Sequence, residues 1–450
     1  MASPLALHPL FSDHAVLSRD VALPLSGRAL PGQMVKVTLG DRRASARANT
    51  VGRWEAVIEP MPAGGPHVLS VSSSAGQLVR RDIMIGEVWL AAGGSGMALP
   101  LEKSAGGAGA IRRAEMARLR VLQVEPAYSA TPLTECRGSW RETTPQSAAE
   151  ASALGLHFGQ TLLSASDCTI GLVQATVAQS RLVAWMQGES LRNRPDLRSV
   201  FSLRKKAGGD DADESFPSGL FNGMIAPLAR SPVRGIIWHQ GEADVGAATP
   251  YRTAFVELIR GWRVAWQNPA LPFLFVQLPA CLDGADDASA ALREAQALAA
   301  DLNDTAMIVA ADVWRVGHRE APDVRAVAER LALAALAVGQ GRSLPWFTPR
   351  PTSHEARGGS LRIHFREAAA GLRLRSGGAG GFQIAGRDRR FVDAEVEVDG
   401  DVIRVTSPAI GEPVAVRYGW SSQPELSLET STGLPIAPFR TDDWPAARDT

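Results

Sequence analysis

Two short segments, far apart in the chain, carry residues able to do acyl chemistry together. In Gly93-Gly94-Ser95-Gly96-Met97 a hydroxyl sits among glycines, and in Trp238-His239-Gln240-Gly241-Glu242 an imidazole, a carboxamide and a carboxylate follow closely. A serine hydroxyl attacks an ester once a base takes its proton, and an amide N–H stabilises the charge that develops on the carbonyl oxygen. Ser95 is therefore the candidate nucleophile, and Gln240 a candidate donor to the oxyanion. The block around Ser95 is not a G-x-S-x-G elbow, because Met97 stands where the second glycine belongs. It is neither a dinucleotide fingerprint nor a phosphate loop, since no third glycine and no Gly-Lys-Ser follow. His239 and Glu242 could be read as a metal pair, but no third ligand is spaced to join them. No metal and no cofactor is expected.

Each segment ends an apolar run. Val88-Trp89-Leu90-Ala91-Ala92 and Gly235-Ile236-Ile237-Trp238 break at once into small and polar residues. Such runs are the pattern of parallel strands buried on both faces, and ligands collect where the carboxyl ends of such strands open. Phe273 to Leu278 and Met307 to Asp312 read as further buried strands. Helical stretches alternate with them at Thr253 to Trp266, Ala288 to Leu302 and Val324 to Val338, which argues for βαβ units over residues 85–345.

The flanks have a different texture. In residues 1–84, Val35 to Leu39, Trp54 to Ile58 and His67 to Val71 read as short strands between Pro and Gly clusters, suggesting a small β-sandwich. Pro349-Arg350-Pro351 marks the second boundary, and residues 346–450 return to β, with Asp399-Gly400 as a hairpin turn. Arg204 to Ser218 interrupts the central pattern as a surface loop.

Composition narrows the function classes. The chain has 450 residues, 45% of them hydrophobic, with 47 basic and 47 acidic side chains. A chain of that length holds more than one domain, and its charge balance favours neither nucleic acid nor an anionic membrane. Three cysteines (Cys136, Cys168, Cys281) form no metal spacing and no disulfide framework. No run of about 20 apolar residues spans a membrane. The expected location is cytoplasmic as written, or periplasmic or secreted if a cleaved leader preceded these residues. Oligomeric state is not readable.

The two blocks resemble the sialate O-acetylesterase family of SGNH hydrolases, which carries G-Q-S-N-M after a V-W-L strand and a later W-Y-Q-G-E. Phe11-Ser12-Asp13, Asn222 to Leu228, Leu271-Pro272-Phe273, Arg293 to Gln296 and the tail from Gly433 to Trp444 fit the same family, so the resemblance runs nearly end to end. It implies a three-layer α/β/α SGNH-hydrolase domain with a parallel sheet, flanked by N-terminal and C-terminal β modules. It further implies removal of O-acetyl groups from an acetylated mono-, oligo- or polysaccharide. It points to His318 as the base, since the family's D-x-H-P histidine falls in this interval, and it makes Gly96, Gln179, Gln240, Glu242 and His239 oxyanion or wall residues.

The resemblance breaks at sensitive places. Gly94 and Gly96 replace the family's glutamine and asparagine, and Val177-Ala178-Gln179-Ser180 stands where the family has tandem glycine. Arg315 and Val316 stand where the family has its acid, and Arg319 where it has proline. A backbone N–H survives such exchanges, but the shape of a glycine loop need not. Asp312, Glu320, Asp323 and Glu242 remain alternatives for orienting His318, and Glu242 is either an orienting group or scaffolding. Two functions follow: a carbohydrate O-acetylesterase with a rewired acid, or a catalytically silent relative that binds a glycan or a partner. Trp346 and Trp420 are the tryptophans to examine for sugar stacking.

Overall fold

The computed structural model describes residues 5–197, 216–281, 286–316, 321–368, 371–376 and 378–444. His318, and the Arg204 to Ser218 loop as far as residue 215, lie outside the described residues. The chain forms two compact units, Met1–Ala243 with Ala254–Phe273, and Asp244–Thr253 with Leu274–Thr450.

The first unit begins with short antiparallel strands. β1 (Leu23–Arg28) pairs with β4 (Arg53–Ile58), and β2 (Met34–Leu39) pairs with β3 (Arg42–Arg47) and β5 (Gly64–Ser73). Val35, Val37 and Leu39 are buried while Met34 and Lys36 are exposed; Trp54, Ala56 and Ile58 repeat the pattern on β4. This is the period of two read from the sequence: one face on a core, one on solvent.

β6 (Gly76–Gly93) is a single long strand that runs through positions 84 and 85. Its first half pairs antiparallel with β5, and its second half lies in a parallel sheet. That sheet has the order β8-β7-β9-β6-β10, with β7 (Met116–Gln123), β9 (Ile170–Thr176) and β10 (Gly235–His239) parallel to β6 and β8 (Trp140–Thr143) an antiparallel edge. Val88 to Gly93 and all of β10 are buried, which explains why these stretches are apolar throughout rather than alternating. Helix α1 (Ser95–Ala98) follows β6. Helix α2 (Ala153–Ser164) is capped by Ser152 Oγ, which accepts from Gly155 N–H at 3.0 Å. Gly159 lets α2 lie close on the sheet: a Cβ there would stand 2.6 Å from Leu119 Cδ1 and 2.9 Å from Leu172 Cδ1. The indoles of Trp185, Trp238 and Trp262 pack edge to face beside β10, with centroids 5.7 and 5.5 Å apart, and Trp262 Nε1 donates to the Trp185 carbonyl at 2.9 Å.

The helix expected at Thr253 to Trp266 runs Ala248–Ala265, here α3. In the second unit β11 (Phe273–Val276) neighbours β12 (Thr305–Ile308), and helices α4 (Asp286–Ala297) and α5 (Arg325–Ala334) follow these strands in turn. The C-terminal strands are antiparallel. β13 (Arg350–Arg357), β14 (Ser360–Arg366), β15 (Glu395–Asp399) and β16 (Val402–Thr406) have the order β13-β14-β16-β15. Gly400, with φ of +64°, turns the β15–β16 hairpin. Trp420 is taken up in packing: the guanidinium carbons of Arg417 and Arg440 lie 5.4 and 4.7 Å from its ring, and its Nε1 donates to Asp287 at 2.9 Å.

Candidate active site

The register of the parallel sheet brings three loops to one level. Gly93 pairs with Thr176 on one side and with His239 on the other. The nucleophile block, the Val177–Ser180 turn and the Gln240–Glu242 segment therefore leave the sheet side by side. Hydrogen bonds lock this junction: Gly94 N–H donates to the His239 carbonyl at 2.8 Å, and Val177 N–H to the Gly93 carbonyl at 3.0 Å. Gly93 must be glycine. Its φ is +138°, and a Cβ would come within 2.1 Å of the His239 carbonyl oxygen.

Ser95 opens α1 and is half-buried. The helix is anchored below by Met97, which is fully buried and takes the Ser152 hydroxyl on its sulfur at 3.7 Å. Ser95 Oγ accepts from the backbone N–H of Gln179 at 2.9 Å. Gln179 has φ of +58°, the left-handed conformation in which glycine is at ease and other residues are strained by roughly 1–2 kcal/mol. The turn has thus kept a glycine-like shape without a glycine. Gln179 itself is exposed.

Buried partners hold that strained turn. Gln240 Nε2 donates to the Ser180 carbonyl at 3.0 Å. The Ser180 hydroxyl donates to the Val177 carbonyl at 2.7 Å and accepts from Trp185 Nε1 at 2.9 Å. Ser180 braces the candidate site, and residue-type reasoning passed it over because a small hydroxyl behind a turn carries no chemical signature of its own.

His239 is fully buried, and its Nδ1 lies 3.7 Å from Glu242 Oε1. Burial lowers the imidazole's pKa and the Glu242 charge only partly opposes it, so the ring is held towards its neutral form. A Cβ on Gly94 would meet Gln240 Cγ at 3.3 Å and Glu242 Oε2 at 3.7 Å. Gln240 and Glu242 thus wall the loop immediately before Ser95. The second unit holds Asp312, whose two oxygens accept from Arg330 at 2.7 and 2.8 Å and from Arg375 at 3.0 Å. Burial pushes this carboxyl up, and the two guanidiniums outweigh it and hold it below the usual range. Asp323 Oδ1 accepts from Arg325 N–H at 3.0 Å.

Among the described residues, His14, Asp82 and Glu142 bring three ligand-type atoms within 4.8 Å of one another. Arg120 already serves that cluster as its cation, 2.9 Å from Asp82 and 3.5 Å from Glu142.

Residues 86–337 match the family model described as carbohydrate esterase, sialic acid-specific acetylesterase. The mouse sialate O-acetylesterase is 26% identical over 92% of this chain and 90% of its own length, and the human one is 26% identical over 92% and 88%. The crystal structure of a carbohydrate acetylesterase from Xanthomonas citri is 35% identical, covers 98% of this chain and 100% of that one, and superposes with a TM-score of 0.90. The α/β fold, the nucleophile block at the end of β6 and these matches agree: the chain belongs to the sialic acid-specific acetylesterase family of carbohydrate esterases.

Proposed function

We propose that this protein releases acetate from O-acetylated sugars, with Ser95 as nucleophile, His318 as base and the Gln179 N–H as an oxyanion donor. Ester hydrolysis follows from family membership, and an acetylated saccharide follows from the names its relatives carry. The observation that carries the residue roles is the 2.9 Å hydrogen bond from Gln179 N–H to Ser95 Oγ. A backbone N–H that meets the nucleophile's oxygen lies within a short swing of the oxygen of a carbonyl under attack.

In this reading Ser95 Oγ adds to the acetyl carbonyl carbon while its proton passes to the His318 imidazole. The carbonyl oxygen becomes an oxyanion beside Gln179 N–H. Collapse expels the sugar oxygen, which takes the proton from the imidazole, and leaves Ser95 acetylated. Water activated by the same imidazole then attacks the acetyl carbon and frees acetate and Ser95. Gln240 acts from behind by fixing the Ser180 carbonyl, and His239, Glu242 and Gly96 line the site. Asp312 carries two guanidiniums already, which favours Glu242, Glu320 or Asp323 for orienting His318. The in-register parallel strands support a three-layer α/β/α arrangement for residues 85–345, with β modules at 1–84 and 346–450.

A second reading rests on Arg315 and Val316, which stand where the family carries its acid: a silent relative that keeps the fold and binds a glycan or partner. Acetate release from 4-nitrophenyl acetate and from an acetylated sugar separates the two. The enzyme reading expects Ser95→Ala and His318→Ala each to remove most of the wild-type rate. Equal background rates in wild type and Ser95→Ala establish the silent reading. Among the described residues no helix is long and apolar enough to cross a membrane.

A further inference from the structure

The neutrality of the whole chain hides a local imbalance. Residues 28–53 carry six basic side chains and one acidic one, Asp41. Arg28 is paired with Glu135 at 2.6 Å, and Arg42 lies 3.9 Å from Asp41 and 3.8 Å from Glu59. Lys36, Arg43, Arg47 and Arg53 are exposed and form no ion pair among the described residues.

The strand register places these cations. On the β2–β3 hairpin Met34 pairs with Arg47, Lys36 with Ser45 and Thr38 with Arg43. Residues paired across antiparallel strands share a face, and Val35, Val37 and Leu39 fill the opposite, buried one. Arg47 therefore stands level with Met34, Lys36 about 7 Å behind and Arg43 about 13 Å behind.

Ahead of Met34 and Arg47 the chain runs into two loops, residues 29–33 and 48–52. Backbone bonds join them into one tip: Gly32 N–H donates to the Ala48 carbonyl, Ala48 N–H to the Gln33 carbonyl and Ala29 N–H to the Gly52 carbonyl, each at 2.9 Å. The tip is apolar. Val51 is 72% exposed, Leu30 52% and Met34 42%. Single exposed apolar residues are ordinary, but three gathered at one end of a module mark a contact surface.

The tip is also built to leave water. Leu30 N–H donates to Gln33 Oε1 at 3.2 Å and Val51 N–H to Asn49 Oδ1 at 3.1 Å, while Arg47 Nη1 donates to the Gly32 carbonyl at 2.7 Å. The backbone donors of the two most exposed apolar residues of the tip are thus satisfied within their own loops, as an apolar environment demands. Residues 28–53 include no aromatic side chain, so the tip offers no flat ring on which a sugar or a base could stack. Aliphatic side chains ringed by cations match the boundary between acyl chains and anionic headgroups.

We infer that this tip docks the protein on an anionic lipid surface. Leu30 and Val51 enter the headgroup layer with Met34 at its edge, and Arg47, Arg53 and Lys36 meet the lipid phosphates. Neither the apolar contact nor the charge suffices alone, since lasting attachment at an interface takes two signals.

Co-sedimentation of the full chain with lipid vesicles tests this. Binding is expected at low salt to vesicles of equal parts phosphatidylcholine and phosphatidylglycerol, and at least tenfold weaker binding to phosphatidylcholine alone or at high salt. Leu30→Ser combined with Val51→Ser keeps every charge and should weaken binding at least tenfold. Lys36→Glu combined with Arg53→Glu keeps the apolar residues and should do the same. All four side chains are exposed, so both variants should melt with the wild type, and if one folds poorly the other still decides. Absence of the chain from the anionic vesicle pellet overturns the inference, as does wild-type binding in either variant. Retention on dextran sulfate without vesicle binding would assign the surface to an anionic glycan instead. Self-association abolished by Leu30→Ser with Val51→Ser, in a chain that ignores vesicles, would assign it to a second copy.

Discussion

The N–H that meets Ser95 Oγ at 2.9 Å belongs to Gln179, a residue held at φ of +58°. Side chain and backbone are at odds there, since the turn presents this N–H to Ser95 while a glutamine resists the conformation that does so. Gln179→Gly is expected to keep the rate of acetate release and to raise stability by roughly 1 kcal/mol, because glycine adopts this conformation at little cost. Gln179→Pro removes the N–H and forces φ to about −65°. It should lower kcat by about 10²–10³. Thermal melts with initial rates on 4-nitrophenyl acetate check both; a full-rate proline variant removes this N–H from the mechanism.

Gln240 touches the same turn from the buried side, donating to the Ser180 carbonyl at 3.0 Å. Gln240→Glu is nearly isosteric, but it sets a carboxylate oxygen against that carbonyl. The turn should loosen, and kcat should fall at least tenfold with KM little changed, since the N–H it presents acts on the transition state rather than on the bound ester. A variant that alters KM alone would show that Gln240 shapes substrate binding instead.

The candidate site was legible in the sequence to the extent that chemistry is carried by residue type. Ser95, Gln240 and Glu242 follow apolar runs because strands buried on both faces must be apolar, and strands in register must end together. The proposed Gln179 donor was legible only as a position. A backbone N–H is the same in every residue but proline, so nothing in Val177-Ala178-Gln179-Ser180 announces a left-handed turn. Ser180 was silent for a related reason: its partners, the Val177 carbonyl, the Trp185 indole and the Gln240 amide, are brought to it only by the fold. Trp420 had been a candidate for sugar stacking by its type, yet Arg417 and Arg440 lie over its ring.

Burial of His239 sets a pH dependence. Its pKa is lowered from the ordinary value of 6.5 by desolvation. Below about pH 6.5 the unfolded chain takes up a proton that the folded chain refuses, so stability present above that pH is lost as the pH falls towards the folded value. His8 is lowered in the same direction and adds to the effect. Replacing His239 by phenylalanine should shrink the fall in Tm between pH 7.5 and pH 5.0 while leaving most activity. An unchanged pH slope would assign the acid sensitivity to other groups.

Arg293 is a fully buried cation held by carbonyls. Its Nε donates to Leu278 at 2.8 Å, Nη1 to Ser421 at 2.7 Å, and Nη2 to Pro279 at 2.7 Å and Ser422 at 3.0 Å. One planar fork thus ties α4 to the chain after β11 and to the Ser421–Ser422 turn, all within the second unit. A lysine ammonium has three donors at one point and cannot span four carbonyls in that geometry. Arg293→Lys should leave at least one carbonyl without a donor, at about 1–3 kcal/mol each. In a unit of this size that lowers Tm by several degrees. Loss of the carbonyl contacts, rather than of charge, is the cause expected here, so Arg293→Met should be at least as destabilising as Arg293→Lys. A lysine variant that melts with wild type would mean that water replaces the missing donors.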